Sequence, residues 1–298
     1  MKALLTLLFL LMLTAVAEAT VTCGTSDDTA SIQAAIDAAR TTYDAVAPMI
    51  PVQLPTGPCR VTSLDMTGRT GIALLGPSQI VPIADGVAVL DLTGSANIQI
   101  RDINICGQCN LSIIPSVGIL VAQAAGALDG LSNKLLFDYV QVSGNYSTAS
   151  LFVFGVPSSQ IANSQFSNWH FITSVWTGNN FFGVQSKYLP LSESTTQMPT
   201  DWTIVGTEFH NVSEHTAIWI GGASDLRWYG GNASSNNTHV VEVHTVAGGH
   251  SPARIIFDGT TFYSDTGVQG PCAVFFSSVP TSAVHFRANA HSQPALTC

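Results

Sequence analysis

The chain has 298 residues, 46% of them apolar and 10% charged, and its 19 acids against 10 bases give a formal net charge of -9. High hydrophobicity with few charges excludes a disordered chain, and the missing basic excess excludes the electrostatic footprint of a nucleic-acid binder. No heptad pattern of Leu with Glu and Lys runs through it, which excludes a long coiled coil.

Met1-Lys2 forms a short basic start, Ala3 to Val16 is almost wholly apolar, and Ala17-Glu18-Ala19 fits a small-x-small cleavage pattern. A secretory signal peptide over 1–19 is predicted, leaving a single exported domain over 20–298. The apolar run is shorter than the roughly 20 residues that cross a bilayer, and no later run is longer, so no membrane span is expected. Six cysteines agree with an oxidising compartment. Joining near neighbours in sequence suggests Cys23–Cys59, Cys106–Cys109 and Cys272–Cys298; a redox or zinc half-site at Cys106-Gly-Gln-Cys109 is the alternative for the middle pair. Sequons start at Asn110, Asn145, Asn211, Asn232 and Asn236, candidate glycan sites if the protein is secreted by a eukaryote.

Asp27-Asp-Thr-Ala-Ser-Ile-Gln-Ala-Ala-Ile36 opens the one convincing amphipathic helix, predicted over about 27–40. Asp28 can cap it, and Ile32, Ala35, Ile36 and Ala39 share a face. After Val52 short runs of β-branched and aromatic residues alternate with Gly, Asn, Ser and Asp, as in Asn97-Ile-Gln-Ile-Arg-Asp-Ile-Asn-Ile105 and Lys134-Leu-Leu-Phe-Asp-Tyr-Val-Gln-Val142. No helical pattern separates them, which argues against a doubly wound α/β sheet. The strands also repeat weakly. Ser164-Gln-Phe-Ser-Asn168, Thr207-Glu-Phe-His-Asn211 and Thr260-Thr-Phe-Tyr-Ser264 each centre on Phe, and each precedes a second apolar strand: Thr173-Ser-Val-Trp176, Ala217-Ile-Trp-Ile220 and Ala273-Val-Phe-Phe276. Units of this kind bury a continuous core only when stacked.

The helix over Asp27–Ile36, the Leu54-Pro-Thr-Gly57 turn and rungs such as Asn97–Ile105 resemble the right-handed parallel β-helix proteins of the pectin-lyase-like superfamily, over about residues 23–290. The resemblance implies an all-β, right-handed single-stranded parallel β-helix whose N-terminal helix plugs one end. It also implies a polysaccharide partner and cleavage by hydrolysis or β-elimination, as in pectate lyases, polygalacturonases and tailspike depolymerases. A sandwich or jelly roll is the competing all-β reading. The motifs of the named enzymes are missing: the one Asp-Asp is Asp27-Asp28 in the cap, Gly248-Gly-His250 lacks a following Gly, and Arg254-Ile-Ile256 lacks the Lys. A non-catalytic carbohydrate-binding or structural solenoid is therefore the alternative function.

If Phe166, Phe209 and Phe262 point inward, alternation turns Glu208 and His210 outward. In the second strand Trp176, Trp219 and Phe275 then face out, with Phe154 one coil earlier. Such an exposed aromatic column suits stacked sugar rings, and these four residues are the expected substrate contacts. The expected catalytic residues are Glu208, His210, Asp225 and Arg227, from a polar cluster that also holds Glu214 and His215, with Lys187 as a weaker cation. Two carboxyls would serve a hydrolase; a base and a cation would serve a lyase. No metal or cofactor is expected, and the oligomeric state is left open. The negative net charge favours a neutral or weakly charged glycan over an acidic one.

Overall fold

The computed structural model describes residues 21–24, 26–39, 48–122, 134–154, 159–162, 164–168, 201–211, 216–221, 225–235, 239–245, 252–264, 270–277 and 284–298, with the backbone alone at Phe154, Ser167 and Asn168. The expected signal peptide lies outside the described residues.

The described chain winds as successive coils, each contributing a strand to up to three faces. The first coil holds β1 (Ile50–Gln53), β2 (Pro58–Val61) and β3 (Leu64–Asp65). In the next two, β4 (Thr70–Pro82) and β6 (Ala96–Cys106) each run through two faces, and β5 (Ala88–Asp91) and β7 (Val117–Ala122) take the third. Then come β8 (Leu135–Asp138), β9 (Gln141–Gly144) and β10 (Ala149–Phe154), followed by β11 (Gln160–Ala162) and β12 (Gln165–Asn168). The following coil is β13 (Thr203–Val205), β14 (Glu208–Asn211) and β15 (Ile218–Gly221), and the one after it β16 (Arg227–Tyr229), β17 (Asn232–Ser235) and β18 (Val241–His244). The last two are β19 (Ile255–Asp258), β20 (Thr261–Ser264) and β21 (Cys272–Ser277), then β22 (Val284–Arg287), β23 (Ala290–His291) and β24 (Ala295–Thr297).

Each strand pairs in parallel with its counterpart one coil on. The first face runs from β8 through β11, β13, β16 and β19 to β22, and the second from β9 through β12, β14, β17 and β20 to β23. The third has two runs, β3-β5-β7-β10 and β15-β18-β21-β24. This is the expected right-handed parallel β-helix, the hand that parallel crossovers favour.

Alternation along the strands separates inside from outside. On the second face Val142, Phe166, Phe209, Ala233 and Phe262 are in register and buried. Phe166 stacks on Phe209 with centroids 5.5 Å apart, and Trp228, from the first face, meets Phe209 edge-on at 5.3 Å. Such ring pairs contribute beyond their buried area.

An open solenoid exposes apolar rungs and unpaired strand edges at its ends. The helix α1 (Thr29–Ala39) covers the N-terminal end with buried Ile32, Ala35 and Ile36. Asp27 Oδ1 accepts from the Thr29 N–H at 2.9 Å at the helix start. Asp28 is buried, and its carboxylate accepts from the backbone N–H groups of Gly24 and Arg60, which ties the cap to β2. All three expected disulfides are present; Cys23–Cys59 fastens the cap, Cys106–Cys109 closes a short turn and Cys272–Cys298 holds β24 to β21.

The corners repeat as well. Where the first face turns into the second, a residue of positive φ recurs at Asp102, Tyr139, Gly206, Gly230, Gly259 and Ala288, with Gly231 a second one beside Gly230. Its N–H reaches the next coil, as in Gly206 N–H to the Tyr229 carbonyl and Gly230 N–H to the Asp258 carbonyl. Neighbouring glycines at this corner differ in what they tolerate. A Cβ on Gly230 would meet nothing within 4 Å, whereas one on Gly231 would lie 2.2 Å from the Thr207 carbonyl oxygen. Gly230→Ala is expected to cost about 1–2 kcal/mol from its left-handed backbone alone. Gly231→Ala adds overpacking, for a total of about 2–5 kcal/mol. Denaturant unfolding of the two variants checks the order.

Candidate functional site

The expected residues sort by face. Glu208 and His210 stand two apart on β14 of the second face, on the outward side of the strand that turns Phe209 inward. Glu208 is in register with Gln165 and Asn232, and beyond these with Gln141 and Thr261. The amides form a ladder: Gln141 Nε2 donates to Gln165 Oε1 at 2.9 Å, and Gln165 Nε2 donates to Glu208 Oε2 at 3.2 Å. His210 falls in the next outward column, opposite Ser167 and Ser234, with Tyr263 one coil beyond Ser234. Among the described residues in these two columns of β9, β12, β14, β17 and β20, Glu208 is the one carboxylate.

Asp225 and Arg227 lie at the first face. Asp225 has φ 55° at the corner before β16, Arg254 has φ 53° at the equivalent corner before β19, and the two side chains form an ion pair between coils. Asp201, with φ 56°, holds the same corner before β13. Asp and Asn enter the left-handed region more readily than most residues, so Asp225 has a corner-forming role. Arg227 is exposed, in register with Thr203 and Ile256. The structure thus keeps Glu208 with His210 and Asp225 with Arg227, each pair on its own face.

Trp219 and Phe275 both face outward on the third face. Their neighbours Ile218, Ile220 and Val274 lie in the inner core. They are not directly in register: Trp219 pairs with Glu242 of β18, and Glu242 with Phe275 of β21. The column also departs from the open stripe expected, because Trp219 is only 9% exposed. Its ring stacks on His244 at 5.4 Å, and Phe275 stacks on His239 at 4.8 Å while meeting His244 edge-on at 6.3 Å. Phe154 ends β10, in the other run of the third face. Trp176, Lys187, Glu214, His215 and His250 lie outside the described residues.

Glu242 is the carboxylate that sequence reading missed. Its Oε2 lies 2.8 Å from His244 Nε2, and its Oε1 accepts from Thr216 Oγ1 at 2.7 Å. Burial raises its pKa, but the hydrogen bonds from His244 and Thr216 and the positive potential of His244 and His239 outweigh it, leaving the carboxyl below its ordinary 4.5. An ionised carboxylate only accepts, so His244 Nε2 is the donor in this contact. Thr216 is itself placed from the second face, where buried Asn211 donates its amide to the Thr216 carbonyl at 3.1 Å. That burial also withdraws the Asn211 side chain from solvent in the folded chain. The signal for Glu242 was present in Val241-Glu-Val-His244, whose alternation aligns with Ile218-Trp-Ile-Gly221 and Val274-Phe-Phe-Ser277.

His239, Cys272 and Cys298 bring their nitrogen and sulfur atoms within 4.8 Å of one another. Both sulfurs are bonded to each other, so no thiolate is offered to a metal.

A carboxyl whose folded pKa is depressed adds stability above its unfolded value, and that stability is lost as pH falls through the folded value. The gap in thermal midpoint between wild type and Glu242→Gln is therefore expected at pH 6 and should close as pH drops below about 4. A gap that does not narrow at any pH below the ordinary carboxyl range would contradict an ionised Glu242.

No family model and no curated protein matches the sequence. Among solved structures, the enzymatically active domain of tailspike protein 2 from bacteriophage CBA120 superimposes with a TM-score of 0.56 at 11% identity, covering 91% of this chain and 41% of that one. ORF18 of Geobacillus virus E2 gives 0.54 at 15% identity, covering 93% of this chain and 59% of that one. The chain therefore spans roughly two-fifths and three-fifths of these two proteins. At such identities the likeness shows the shared parallel β-helix fold.

Proposed function

We propose that the protein is exported through a signal peptide over 1–19 and that its single domain, 20–298, engages a polysaccharide along the side of the β-helix. The observation that carries this reading is the outward ladder Gln141, Gln165, Glu208, Asn232 and Thr261, one hydrogen-bonding side chain per coil. Coils about 4.8 Å apart repeat on the scale of successive sugars in an extended chain. The pectin-lyase-like resemblance and a structural neighbour described as an enzymatically active tailspike domain support the same direction. The net charge of -9 favours a neutral or weakly charged glycan.

In this reading the polymer also meets the third face at Phe275 and at the 9% of Trp219 that stays exposed, and Phe154 and Trp176 are proposed as further contacts. Cleavage centres on Glu208 and His210, which share one side of β14, and Asp225 and Arg227 act from the neighbouring face. Among the described residues of its face Glu208 is the one carboxylate beside His210, which fits proton abstraction and β-elimination better than hydrolysis, which needs two carboxyls flanking one bond. The same lone carboxylate favours the second reading, a carbohydrate-binding solenoid without turnover. No cofactor is invoked.

Retention on insoluble glycans, together with reducing-end and unsaturated-product assays over a glycan panel, separates these readings. Wild type is expected to be retained, and Trp219→Ala combined with Phe275→Ala to weaken retention at least about tenfold, or 1.4 kcal/mol. For an enzyme, Glu208→Ala removes product while lowering retention less than the aromatic double variant does. Retention without product on any glycan supports the binding reading, and neither retention nor product on any of them overturns both.

A further inference from the structure

We propose that Ser277, His244 and Glu242 form an acyl-transfer site on the third face, for which the substrate is an O-acylated sugar. This rests on the polysaccharide reading only for the identity of the alcohol that carries the acyl group. Neither Glu208 nor the amide ladder takes part.

Three observations place these side chains together. Val241 and Val243 of β18 are inside, so Glu242 and His244 share its outward side. Val274 and Phe276 of β21 pack on the core, so Phe275 and Ser277 share the outward side of the next coil. Register sets Ser277 directly opposite His244. In adjacent parallel strands such partners stand about 4.8 Å apart, the separation across which the Ser277 hydroxyl has to meet the imidazole.

The imidazole is clamped. Glu242 holds Nε2 at 2.8 Å, Trp219 stacks on one side at 5.4 Å and Phe275 meets its edge at 6.3 Å. Thr216 fixes the second carboxylate oxygen. A carboxylate on one nitrogen sets the tautomer and leaves the other nitrogen basic, as nucleophile activation by histidine requires. Glu242 is a positioning residue that acts through His244. Such an arrangement exceeds what a merely packed ladder needs, because apolar side chains would fill the same column without holding a charge away from water.

The chemistry balances without a co-reactant other than water. Ser277 Oγ attacks the ester carbonyl carbon as its proton passes to His244 Nδ1. The carbon–oxygen bond to the sugar then breaks, and the sugar oxygen takes that proton. Water, deprotonated by His244, attacks the acyl-serine, releasing the carboxylic acid and restoring Ser277. Nothing is oxidised or reduced. Trp219 and Phe275 border the imidazole and give the sugar an apolar wall.

The test uses the full secreted chain, a fluorophosphonate probe read by peptide mass spectrometry, and p-nitrophenyl acetate hydrolysis. Wild type is expected to carry the phosphonyl mass on the Ser277 peptide, and Ser277→Ala to lose both label and turnover. His244→Gln should lower kcat at least about 1000-fold. Glu242→Gln should lower kcat with KM unchanged, as misorientation of the base predicts, while an effect on stability alone would lower the active fraction without changing the rate per labelled site. No label at Ser277 above that on heat-denatured chain, or Ser277→Ala turnover equal to wild type, overturns the proposal. Both readouts are independent of glycan retention, so their failure leaves the polysaccharide reading standing, and failure of retention leaves this one standing.

Discussion

Every functional statement about this chain depends on one constraint, the parallel backbone hydrogen bonding of each coil to the next in fixed register. Side chains on a strand alternate with period two, so a slip of one residue would carry the whole inward set to the surface. Phe166, Phe209, Ala233 and Phe262 hold the register from inside, where each ring fits against those of adjacent coils. The left-handed corner residues hold it from the edges, since the N–H groups of Tyr139, Gly206, Gly230 and Gly259 each bond a carbonyl of the next coil. Fixing one column thus fixes its neighbours, and Gln165, Glu208 and Asn232 become a ladder because Phe166, Phe209 and Ala233 are a stack.

Much of this was legible in the residues. The repeated Phe-centred motifs gave the second-face register correctly because a large ring inside a narrow solenoid tolerates no other placement. The cap helix was legible from the spacing of Ile32, Ala35 and Ile36, with its observed ends at Thr29 and Ala39 inside the expected 27–40. The disulfides followed from proximity in sequence, which a solenoid preserves: residues close in the chain are at most about a coil apart.

Other features were not legible. Asp225 reads as an acid near a polar cluster, yet the fold uses it at a left-handed corner, paired with Arg254 of the next coil. Only the coil period shows that Asp201, Asp225 and Arg254 are equivalent positions. Trp219 and Phe275 stand on the outward side of their strands, but their contacts with His239 and His244 were not legible, because those residues come from β18 and the segment before it, between the aromatics. Insertions of unequal length between coils hide that a residue far away in sequence lies next in the column. Glu242 was missed for the same reason. Its strand lacks the aromatic residue that marks Trp219 and Phe275, and its meaning appears only when the three strands are stacked.

The most direct measurement of the register is cross-linking by paired cysteines. The described cysteines are all in disulfides, so added thiols have no free native competitor among them. Gln165→Cys with Glu208→Cys joins outward residues in register on adjacent coils, across 43 positions of sequence. Parallel neighbours at about 4.8 Å lie within disulfide reach. The account predicts rapid oxidation of this pair, and little for Gln165→Cys with Phe209→Cys, where one thiol points into the core. Efficient bridging of the second pair, or none of the first, would contradict the stacking on which the proposed sites depend.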